Sequence, residues 1–449
     1  MQPLLVRSPV MTTIAELKRD ADQRLYDGAF GDALALYTQL LEAQPLNLDA
    51  RLRIGDALLA LGEVQRAATV YMRLAQYAAN AGYPLRALVA LKILSALEPG
   101  LSPLVGQIGE LYGRDSARIG QGVRRSLPQD TEELPRGSLA PEARGQDLAA
   151  RAEQLAIDFA HKDALLPDKL MPIPLLSKLD THGLARVFEA FKLTRVRPDA
   201  VIVEQGAAGD SMFVLARGTA RVVRDRAGGP PETIATLIEG SVFGELSLLN
   251  GVRRSATVQA TSDCDLLELS SGSLGADDAA RAQLWSVIAA FAHQRLLTFV
   301  MNNNTVFTAI DPAQRRDLMK HFVEAEAPVG TYVLKQGEPS PGIYVVVRGQ
   351  LQVVRSEGDQ RLELARLGPP EMVGEISVLH GGGATADVIA TEPTTLLFLA
   401  KSFFEKLLEI LPDLRERVDE LAGRRSRVIA YSFVPNQPGE EEIEVEVMV

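Results

Sequence analysis

The sequence predicts a multidomain α+β protein in which an N-terminal α-helical repeat precedes two β-rich domains with flanking helices. Residues 12 to 99 have helical periodicity that repeats every 34 or so residues. A strand, glycine and acid pattern near the middle of the chain occurs again about 130 residues later. The length of 449 residues suits about three domains, since typical domains contain ~100–150 residues. We predict a helical repeat domain at 12–100, a linker at 101–145, two similar domains at 146–300 and 301–430, and an acidic tail at 431–449.

The composition, 46% hydrophobic and 23% charged residues, is typical of a soluble protein. No stretch reaches ~18 uninterrupted apolar residues, and prolines interrupt the N-terminus too early for a secretory signal. We therefore expect a cytoplasmic protein without a membrane span. The net charge of −11 disfavours nucleic acid as a partner. The single cysteine, Cys264, excludes an intramolecular disulfide and is expected to be a buried strand residue.

The helical front end begins with a capping box, Thr13 to Glu16. Small and aromatic residues then recur with a shift of 34 positions. The first set is Gly28, Ala33 and Tyr37, and the second is Gly62, Ala67 and Tyr71. This period resembles that of the tetratricopeptide repeat, whose small residues let paired helices pack closely. A third, less regular unit follows at Gly82. The alternative is a plain helical bundle, and either form predicts a protein-interaction surface.

The predicted linker contains scattered prolines and charges. Within it, Arg124, Arg125 and Ser126 are similar to the basic pseudosubstrate of kinase regulatory subunits, although the residue between the arginine pair and the serine is missing. The alternative is an exposed loop without a role. An amphipathic helix is then predicted from about 146 to 165, and we expect it to pack on the first β-rich domain as its leading helix.

The first cassette begins at Phe243, where strand-type sequence changes to a short apolar turn of helix. Such an opening directs free backbone N–H groups outward, which suits an anion. Gly244 has no Cβ, so a ligand can approach the backbone closely. Ionised Glu245 only accepts hydrogen bonds and suits a sugar hydroxyl, whereas Arg254 supplies a fork of donors that matches two phosphate oxygens. A sugar acceptor and a phosphate donor, nine residues apart, together describe a cyclic nucleotide.

These residues resemble the signature of the cyclic nucleotide-binding domain, found in bacterial catabolite-activator-type regulators, kinase regulatory subunits and gated channels. The resemblance includes an entry helix at 174–179 and a strand, turn and strand at 201–218. It implies a double-stranded β-helix (jelly-roll) barrel, in which Glu245 holds the ribose 2′-hydroxyl and Arg254 the cyclic phosphate. The predicted ligand site consists of Gly244, Glu245, Leu246, Ser247, Arg254, Ser255 and Ala256. The alternative is a structural ion pair between Glu245 and Arg254 in a barrel that binds nothing.

The identity of the nucleotide is only partly predicted. In the family, a threonine directly after the phosphate arginine resembles the sites of cyclic-GMP binders. An alanine or serine at this position resembles cyclic-AMP sites instead. Ser255 therefore favours cyclic AMP, while cyclic GMP stays open because the hydroxyl could serve a guanine amino group. Trp285 and Phe291, on a predicted closing helix at 279–301, are candidates for an apolar lid over the base, with core packing as the alternative.

The second cassette, at 373–387, aligns with the first without a gap, and its upstream turn at 334–349 matches that of the first at an offset of 131. Its predicted degenerate site consists of Gly374, Glu375, Ile376, Ala384 and Thr385. Ala384 falls on Arg254 and Asp387 on Thr257, so we expect this site to bind no cyclic nucleotide in the usual way. A backbone nest at 381–383 could instead hold an anion. His380 is expected to be a surface residue.

Three classes of function follow from these patterns. The first is a regulatory adaptor, in which cyclic nucleotide in the first barrel alters the contacts that the helical repeats make with a protein partner. The second is a constitutive scaffold whose barrels bind only protein. An enzyme is the third, but we find no catalytic triad, no metal-spaced Cys/His cluster and no phosphate-loop lysine motif, and we expect neither metal nor cofactor. We expect no helix-turn-helix module among the residues that follow the second domain. A homodimer stays open, and the tail at 440–449 is expected to be disordered or to add as an edge strand to a partner.

Overall fold

The computed structural model describes most of the chain, in nine stretches. They are residues 11–98, 102–128, 133–135, 145–159, 166–225, 230–250, 253–273, 278–358 and 360–431. The predictions for the tail and for the end of the helix before the first barrel lie outside these residues. By contact density the chain divides into two compact units, Met1–Ala289 and Ala290–Val449. The first unit contains the helical front end and the first barrel, and the second contains the second barrel.

The front end consists of antiparallel helix pairs, as the repeat predicts. After a short strand, β1 (Met11–Thr13), the helices are α1 (Ile14–Tyr26), α2 (Phe30–Ala43), α3 (Leu48–Ala60), α4 (Val64–Asn80), α5 (Pro84–Leu97) and α6 (Ser102–Tyr112). The capping box forms, since the Thr13 hydroxyl accepts from the backbone N–H of Glu16. Gly28, Gly62 and Gly82 have positive φ in the turns that end α1, α3 and α4, where a residue with a Cβ would be strained.

Side chains of the repeat fill the space between the helices. Ala33, Tyr37, Ala67 and Tyr71 are all buried. The structure adds one further repeated pair to those recognised in the sequence. The Tyr37 hydroxyl donates to Asp22 at 2.5 Å, and the Tyr71 hydroxyl donates to Asp56 at 2.7 Å. Asp22 and Asp56 are also separated by 34 positions, so the period itself contained this signal.

The range predicted as a linker is more ordered than its composition suggests. Helix α6 begins at Ser102, and its Val105, Ile108 and Tyr112 are buried at i, i+3 and i+7 spacing. The chain after α6 then lies against folded parts of the molecule, since the N–H of Gly120 donates to the carbonyl of Leu170. The prolines and glycines of this range concealed a short buried stripe.

The segment that contains the arginine pair is a loop in which Val123 and Ser126 are exposed, but the two arginines are in contact with the rest of the molecule. The N–H of Arg125 donates to the carbonyl of Ala81, and its guanidinium donates to the Tyr77 hydroxyl. The Arg124 guanidinium lies over the ring of Tyr83 and 3.8 Å from Glu239. Both arginines are half-buried, because this segment packs against the turn that follows α4. A role in inhibition or phosphorylation stays a prediction.

The next helix, α7 (Gly145–Ile157), follows a short strand, β2 (Glu133–Pro135), that pairs with β1. Its Leu148, Ala152 and Ala156 form the buried face that the pattern predicts. However, α7 packs on α2, α3 and α4, so the expectation that it packs on the first barrel is wrong. The reason is Arg51 of α3, whose guanidinium donates to carbonyls at the C-terminal end of α7 and beyond.

Each barrel contains two four-stranded antiparallel sheets with the same strand order. The first barrel follows α8 (Thr181–Ala190) and has β3 (Lys192–Val196), β4 (Val201–Val203), β5 (Ser211–Arg217), β6 (Ala220–Arg224), β7 (Glu232–Leu237), β8 (Val242–Phe243), β9 (Thr257–Ala260) and β10 (Cys264–Ser270). Its sheets are β3-β10-β5-β8 and β4-β9-β6-β7. Cys264 is buried in its core, as predicted. A short helix, α9 (Glu245–Asn250), interrupts the strands at the cassette, and α10 (Asp278–Asn303) follows them.

The second barrel repeats this arrangement strand for strand. After α11 (Pro312–Met319) come β11 (Val323–Ala327), β12 (Tyr332–Leu334), β13 (Gly342–Arg348), β14 (Leu351–Glu357), β15 (Gln360–Leu367), β16 (Met372–Val373), α12 (Glu375–His380), β17 (Asp387–Ala390) and β18 (Thr394–Ala400). The sheets are β11-β18-β13-β16 and β12-β17-β14-β15. Two helices close the unit, α13 (Lys401–Ile410) and α14 (Pro412–Tyr431). The predicted fold class is confirmed.

One segment of α10, residues 282–303, is long and apolar enough to cross a membrane by length and composition alone. Buried helices of water-soluble proteins pass the same test, so this is weak support for a span.

Candidate functional site

The first cassette is organised around the buried guanidinium of Arg254. Its Nη1 donates to the carbonyls of Ser211 at 2.9 Å and Gly244 at 3.1 Å, and its Nη2 donates to the Ser211 hydroxyl at 3.2 Å. Backbone bonds fix the same residue, since its N–H donates to the carbonyl of Ala207 and its own carbonyl accepts from Gly206. The arginine is therefore held between the turn before β5 and the start of α9.

Two glycines make room for this side chain. A Cβ added at Gly209 would lie 2.3 Å from Nε of Arg254, and one added at Gly244 would lie 2.4 Å from its Nη1. Gly244 also has a φ of +81°, a conformation that strains other residues. Glycine at both positions is thus explained by the place that the arginine occupies.

No carboxylate among the described residues forms an ion pair with Arg254, so the predicted alternative of a Glu245–Arg254 pair is not what the structure contains. Arg254 as a whole residue is only 7% exposed. Burial lowers its pKa, and the negative charges of Asp210, Glu245 and Glu268 oppose that shift. An arginine nevertheless stays charged. The cassette therefore holds a cation whose direct partners are all neutral groups.

The other predicted site residues surround the arginine at different depths. Glu245 and Ser247 are buried at the start of α9, and Leu246 is half-buried. Ala256 is buried, whereas Ser255 is exposed. Phe213 of β5 stacks on Phe243, and the Arg254 guanidinium lies 5.9 Å from the Phe213 ring. Trp285 and Phe291 are both half-buried on α10, so a lid role for either stays a prediction.

In the second barrel the structure places Ala384 at the position of Arg254. The N–H of Ala384 donates to the carbonyl of Glu338, and the carbonyl of Ala384 accepts from Gly337. These two bonds repeat those of Arg254 with Ala207 and Gly206. The alignment made from the sequence is therefore correct at this position, and the second cassette has no guanidinium there. Gly374, Glu375, Ile376 and Thr385 occupy the corresponding places around it.

A serine replaces the missing arginine in its hydrogen bonding. Ser340 stands where the first barrel has Gly209, and its hydroxyl donates to the carbonyl of Gly342 at 2.5 Å. That carbonyl corresponds to the Ser211 carbonyl that Arg254 bonds in the first barrel. A Cβ added at Gly374 would lie 3.1 Å from this hydroxyl. Ser340 therefore occupies the space that the guanidinium fills in the other copy.

Asp387 has a structural task that the sequence did not reveal. Its Oδ1 accepts from the N–H of Gln336 at 2.8 Å, as the Thr257 hydroxyl accepts from the N–H of Gln205 at 3.0 Å. Arg361 also lies 3.7 Å from its Oδ2. The carboxylate thus replaces a threonine as an acceptor for the turn.

Gly383, the last residue of the glycine run in the second cassette, has a packing role. A Cβ added at Gly383 would lie 2.2 Å from the carbonyl of Gly337, so only glycine fits there. The Ser377 hydroxyl donates to the carbonyl of Gly382 at 2.6 Å. Close backbone packing explains Gly383 without an anion, and the nest stays a prediction. His380 is exposed, as expected.

Glu375, the counterpart of Glu245, forms an ion pair within its own domain. Arg425 of α14 donates from Nη1 to Glu375 Oε1 at 2.8 Å and also to the carbonyl of Met372. The Glu375 side chain is 2% exposed. Sequence analysis missed Arg425, because 50 positions separate the two residues and nothing in the local pattern connects them.

Within the first unit, charged residues connect the helical repeats to the first barrel. Arg86 of α5 donates to Glu239 at 2.9 Å and to Asp49 at 2.7 Å. Arg53 of α3 pairs with Asp263 at 2.9 Å, and the Tyr26 hydroxyl donates to the same aspartate. Glu239 lies in the turn that precedes β8 and the cassette. The helices that line this contact, α3 and α5, are buried along most of their length.

A second group of charges reaches from the barrel to α3. Arg195 pairs with Asp56 of α3 at 2.9 Å and with Asp265 at 2.8 Å, and Arg217 pairs with Asp265 at 2.6 Å. Burial favours the neutral form of Asp265, yet Arg217 and Arg195 lower its pKa well below the usual range. The pKa of Asp49 is likewise lowered, because the charges of Arg86 and Arg217 outweigh the effect of burial.

The second barrel provides an internal comparison for these charges. At the positions of Arg195, Glu239, Asp263 and Asp265 it has other residues, in that order Glu326, Pro369, Pro393 and Thr395. The barrel core is shared by both copies, so the strands do not require this set. These four side chains are therefore specific to the first barrel, whereas the arginine at position 217 has a counterpart in Arg348.

The comparisons with known proteins agree with this geometry. Residues 193–276 and 324–410 match the family model for the cyclic nucleotide-binding domain, and residues 24–91 match that for the tetratricopeptide repeat. Both resemblances drawn from the residues are thereby confirmed, and a plain helical bundle is excluded.

Among individual proteins, the chain is similar to the cAMP-dependent protein kinase type II regulatory subunit of Drosophila melanogaster. The two are 28% identical over 279 residues, which is 62% of this chain and 70% of the relative. Solved structures similar to it include the regulatory domain of Toxoplasma gondii PKA with cAMP, at 22% identity, coverage of 56% of this chain and 92% of that chain, and a TM-score of 0.27. The catabolite activator protein of Thermus thermophilus is 31% identical, with coverage of 27% and 58% and a TM-score of 0.26.

Proposed function

We propose that this chain, which contains two cyclic nucleotide-binding domains after a tetratricopeptide repeat region, is a regulatory protein that senses a cyclic nucleotide through its first barrel. The observation that carries the proposal is the state of Arg254. It is a buried cation among neutral partners in one copy of the cassette, and the other copy has replaced it by Ala384 and Ser340.

The chemistry of the site fits a cyclic phosphate. The bonds to Ser211 and Gly244 use three N–H groups of Arg254, which leaves Nε–H and one further N–H for a ligand. Two N–H groups in one plane match two phosphate oxygens. Glu245 is buried at the start of α9, where its carboxylate would accept from a sugar hydroxyl. The remaining predicted contacts, from Gly244, Leu246, Ser247, Ser255 and Ala256, belong to the same proposal.

Arg254→Ala tests this directly. Loss of a charge-assisted hydrogen bond costs about 1.5–3 kcal/mol, so the affinity for cyclic AMP should fall at least tenfold and up to several hundredfold. Arg253→Ala is the matched control, because Arg253 is the adjacent arginine and its side chain is exposed. Equilibrium dialysis with labelled cyclic AMP measures both. Equal affinities for wild type and Arg254→Ala would contradict the proposal.

Cyclic AMP is the proposed ligand because Ser255 follows the arginine. Competition between cyclic AMP and cyclic GMP for the same site should favour cyclic AMP, and Ser255→Thr should shift the ratio toward cyclic GMP. A wild-type preference for cyclic GMP would identify that nucleotide as the ligand instead.

Ligand binding is proposed to act on the helical repeats through Glu239. This residue lies five positions before Gly244 and contacts both Arg86 and Arg124. A ligand shifts such a contact only by its different affinity for the two states. We expect cyclic AMP to change amide hydrogen exchange in α5, and Glu239→Gln to reduce that change at least by half. Lys192→Gln is the control, since the exposed Lys192 of β3 belongs to the same barrel.

The repeats would then present or withhold a surface for a protein partner, in a cytoplasmic regulatory role without catalysis. A constitutive scaffold is the second candidate, and one observation favours it for the second barrel. There Ser340 takes the place of the guanidinium, and Arg425 already engages Glu375, the counterpart of the proposed sugar acceptor. Unchanged hydrogen exchange throughout the first unit at saturating cyclic AMP would favour the scaffold for the whole chain.

A further inference from the structure

The last helix of the chain that the structure describes packs on the second barrel along one face. Leu414, Val418 and Ala422 of α14 are buried at a spacing of four, and Arg425 follows three positions later. Residues at these spacings lie on the same side of a helix. The helix contacts α12, which begins at Glu375, and α13. The apolar stripe of α14 therefore ends in a guanidinium at the cassette.

The contacts of Arg425 join this helix to the cassette. Besides Glu375 Oε1 and the carbonyl of Met372, its guanidinium lies 3.7 Å from Glu371 Oε1. Glu375 is almost fully buried, whereas the Arg425 side chain remains 24% exposed. A buried carboxylate without a partner is costly, and removing one member of a buried pair leaves the other uncompensated. The pair therefore favours the arrangement in which α14 lies against α12.

We propose that Arg425 is a built-in occupant of the sugar subsite in the second barrel, and that it keeps α14 closed on the cassette without a ligand. Ser340 supplies the hydroxyl that replaces the guanidinium at the phosphate end. Arg425 supplies the donor at the glutamate end. An intramolecular donor competes at high effective concentration, so a nucleotide hydroxyl would have to displace it from Glu375. This inference holds whether or not the first barrel binds nucleotide.

Amide hydrogen exchange of the full chain tests the proposal with Arg425→Gln and a matched control, Arg424→Gln, whose side chain is exposed on the same helix. Loss of a charge-assisted bond should accelerate exchange in α14 roughly ten- to hundredfold. We expect this acceleration in Arg425→Gln only, with β13 and β18 unchanged. Unchanged exchange in α14, or equal acceleration by Arg424→Gln, would overturn the proposal.

Glu375→Gln is the second variant, for the case in which Arg425→Gln loosens the whole barrel. It leaves α14 untouched and removes only the charge of the partner. Faster exchange in α14 with β18 still protected supports the proposal. Unchanged exchange in α14 would overturn the proposal, because the pair would then not hold this helix. Exchange that rises equally in β18 would also overturn it, because the pair would then belong to the barrel core.

Discussion

A single side chain, at position 209 in the first barrel and 340 in the second, determines whether an arginine fits in the cassette. Gly209 leaves the space in which the Arg254 guanidinium lies, and Ser340 fills that space with its hydroxyl. The two cassettes thus differ by a coordinated exchange at two positions, Gly209 with Arg254 against Ser340 with Ala384. Loss of the arginine alone does not describe the difference.

Gly209→Ser should therefore weaken nucleotide binding nearly as much as Arg254→Ala. Its Cβ would lie 2.3 Å from Nε, so the guanidinium must leave its place. The expected loss is at least tenfold in affinity, since a charge-assisted bond to the ligand is broken or displaced. Ala208→Ser places a serine at the exposed neighbouring position and should change affinity less than threefold or so. Equilibrium dialysis with cyclic AMP measures the affinity of both variants. An affinity of Gly209→Ser equal to that of the wild type would refute this assignment of Gly209.

The reverse exchange in the second barrel needs more than one substitution. Ala384→Arg alone should create no nucleotide binding, because the Ser340 side chain stands in the way. Ser340→Gly with Ala384→Arg and Arg425→Gln should create it, measured as a second equivalent of bound cyclic AMP. Binding gained by Ala384→Arg alone would show that Ser340 does not exclude the guanidinium.

Predictions for single residues were accurate where they relied on aligning the two cassettes of this chain with each other. The alignment of Ala384 with Arg254 is confirmed by identical backbone hydrogen bonds. Ser340 was within that alignment, but the clash of its Cβ with a guanidinium is visible only in three dimensions. Arg425 was beyond prediction, because its meeting with Glu375 depends on where α14 packs.

At the scale of elements, the position of α7 depends on one buried arginine. The Arg51 guanidinium donates to the carbonyls of Pro45, Leu155, Ala156 and Asp158. It also lies 3.9 Å from the ring centre of Phe159. Burial lowers its pKa to about 10, so it remains charged at neutral pH. Carbonyls at a helix end require such partners when they are buried.

Arg51→Met should detach α7 from the repeats. Several buried carbonyls would lose their donor, and each costs about 1–3 kcal/mol, so the expected loss in stability is at least 3 kcal/mol or so. Urea titration followed by hydrogen exchange in α7 measures it. Arg73→Met, at an exposed position of α4, is the control. A loss below about 1 kcal/mol would mean that apolar packing alone holds α7 in place.

Sequence reasoning placed the repeated helices and strands correctly because their periods are local properties. It placed α7 wrongly, since an amphipathic face does not specify which surface covers it. The 34-residue period also extends to the Asp22–Tyr37 and Asp56–Tyr71 pairs, which the sequence contained but which require paired helices to be recognised.

At the scale of the first unit, the helical repeats and the first barrel share a buried set of ion pairs. The pKa of Asp49, Asp56 and Asp265 is lowered in each case because nearby arginines outweigh the effect of burial. A carboxyl with a lowered pKa stabilises the folded state above its unfolded pKa and loses that contribution as pH falls. The pKa of Asp22 is shifted in the opposite direction, because burial raises it.

The melting temperature of the first unit should therefore fall as the pH drops below about 5, and it should go on falling below the usual carboxyl pKa toward the lower pKa values of the folded state. Scanning calorimetry measures this shift. Asp265→Asn should start at a lower melting temperature and shift less, since it has one such carboxyl fewer. Wild type and variant that shift equally would show that Asp265 does not contribute to the acid sensitivity.

Only the first of the two barrels is proposed to sense a nucleotide, and the stoichiometry of cyclic AMP binding to the full chain is the sharpest test of this proposal. Isothermal titration should give one equivalent per chain for wild type, with heat that disappears or an affinity that falls at least tenfold in Arg254→Ala. Two equivalents for wild type, or one equivalent at unchanged affinity in Arg254→Ala, would contradict the claim.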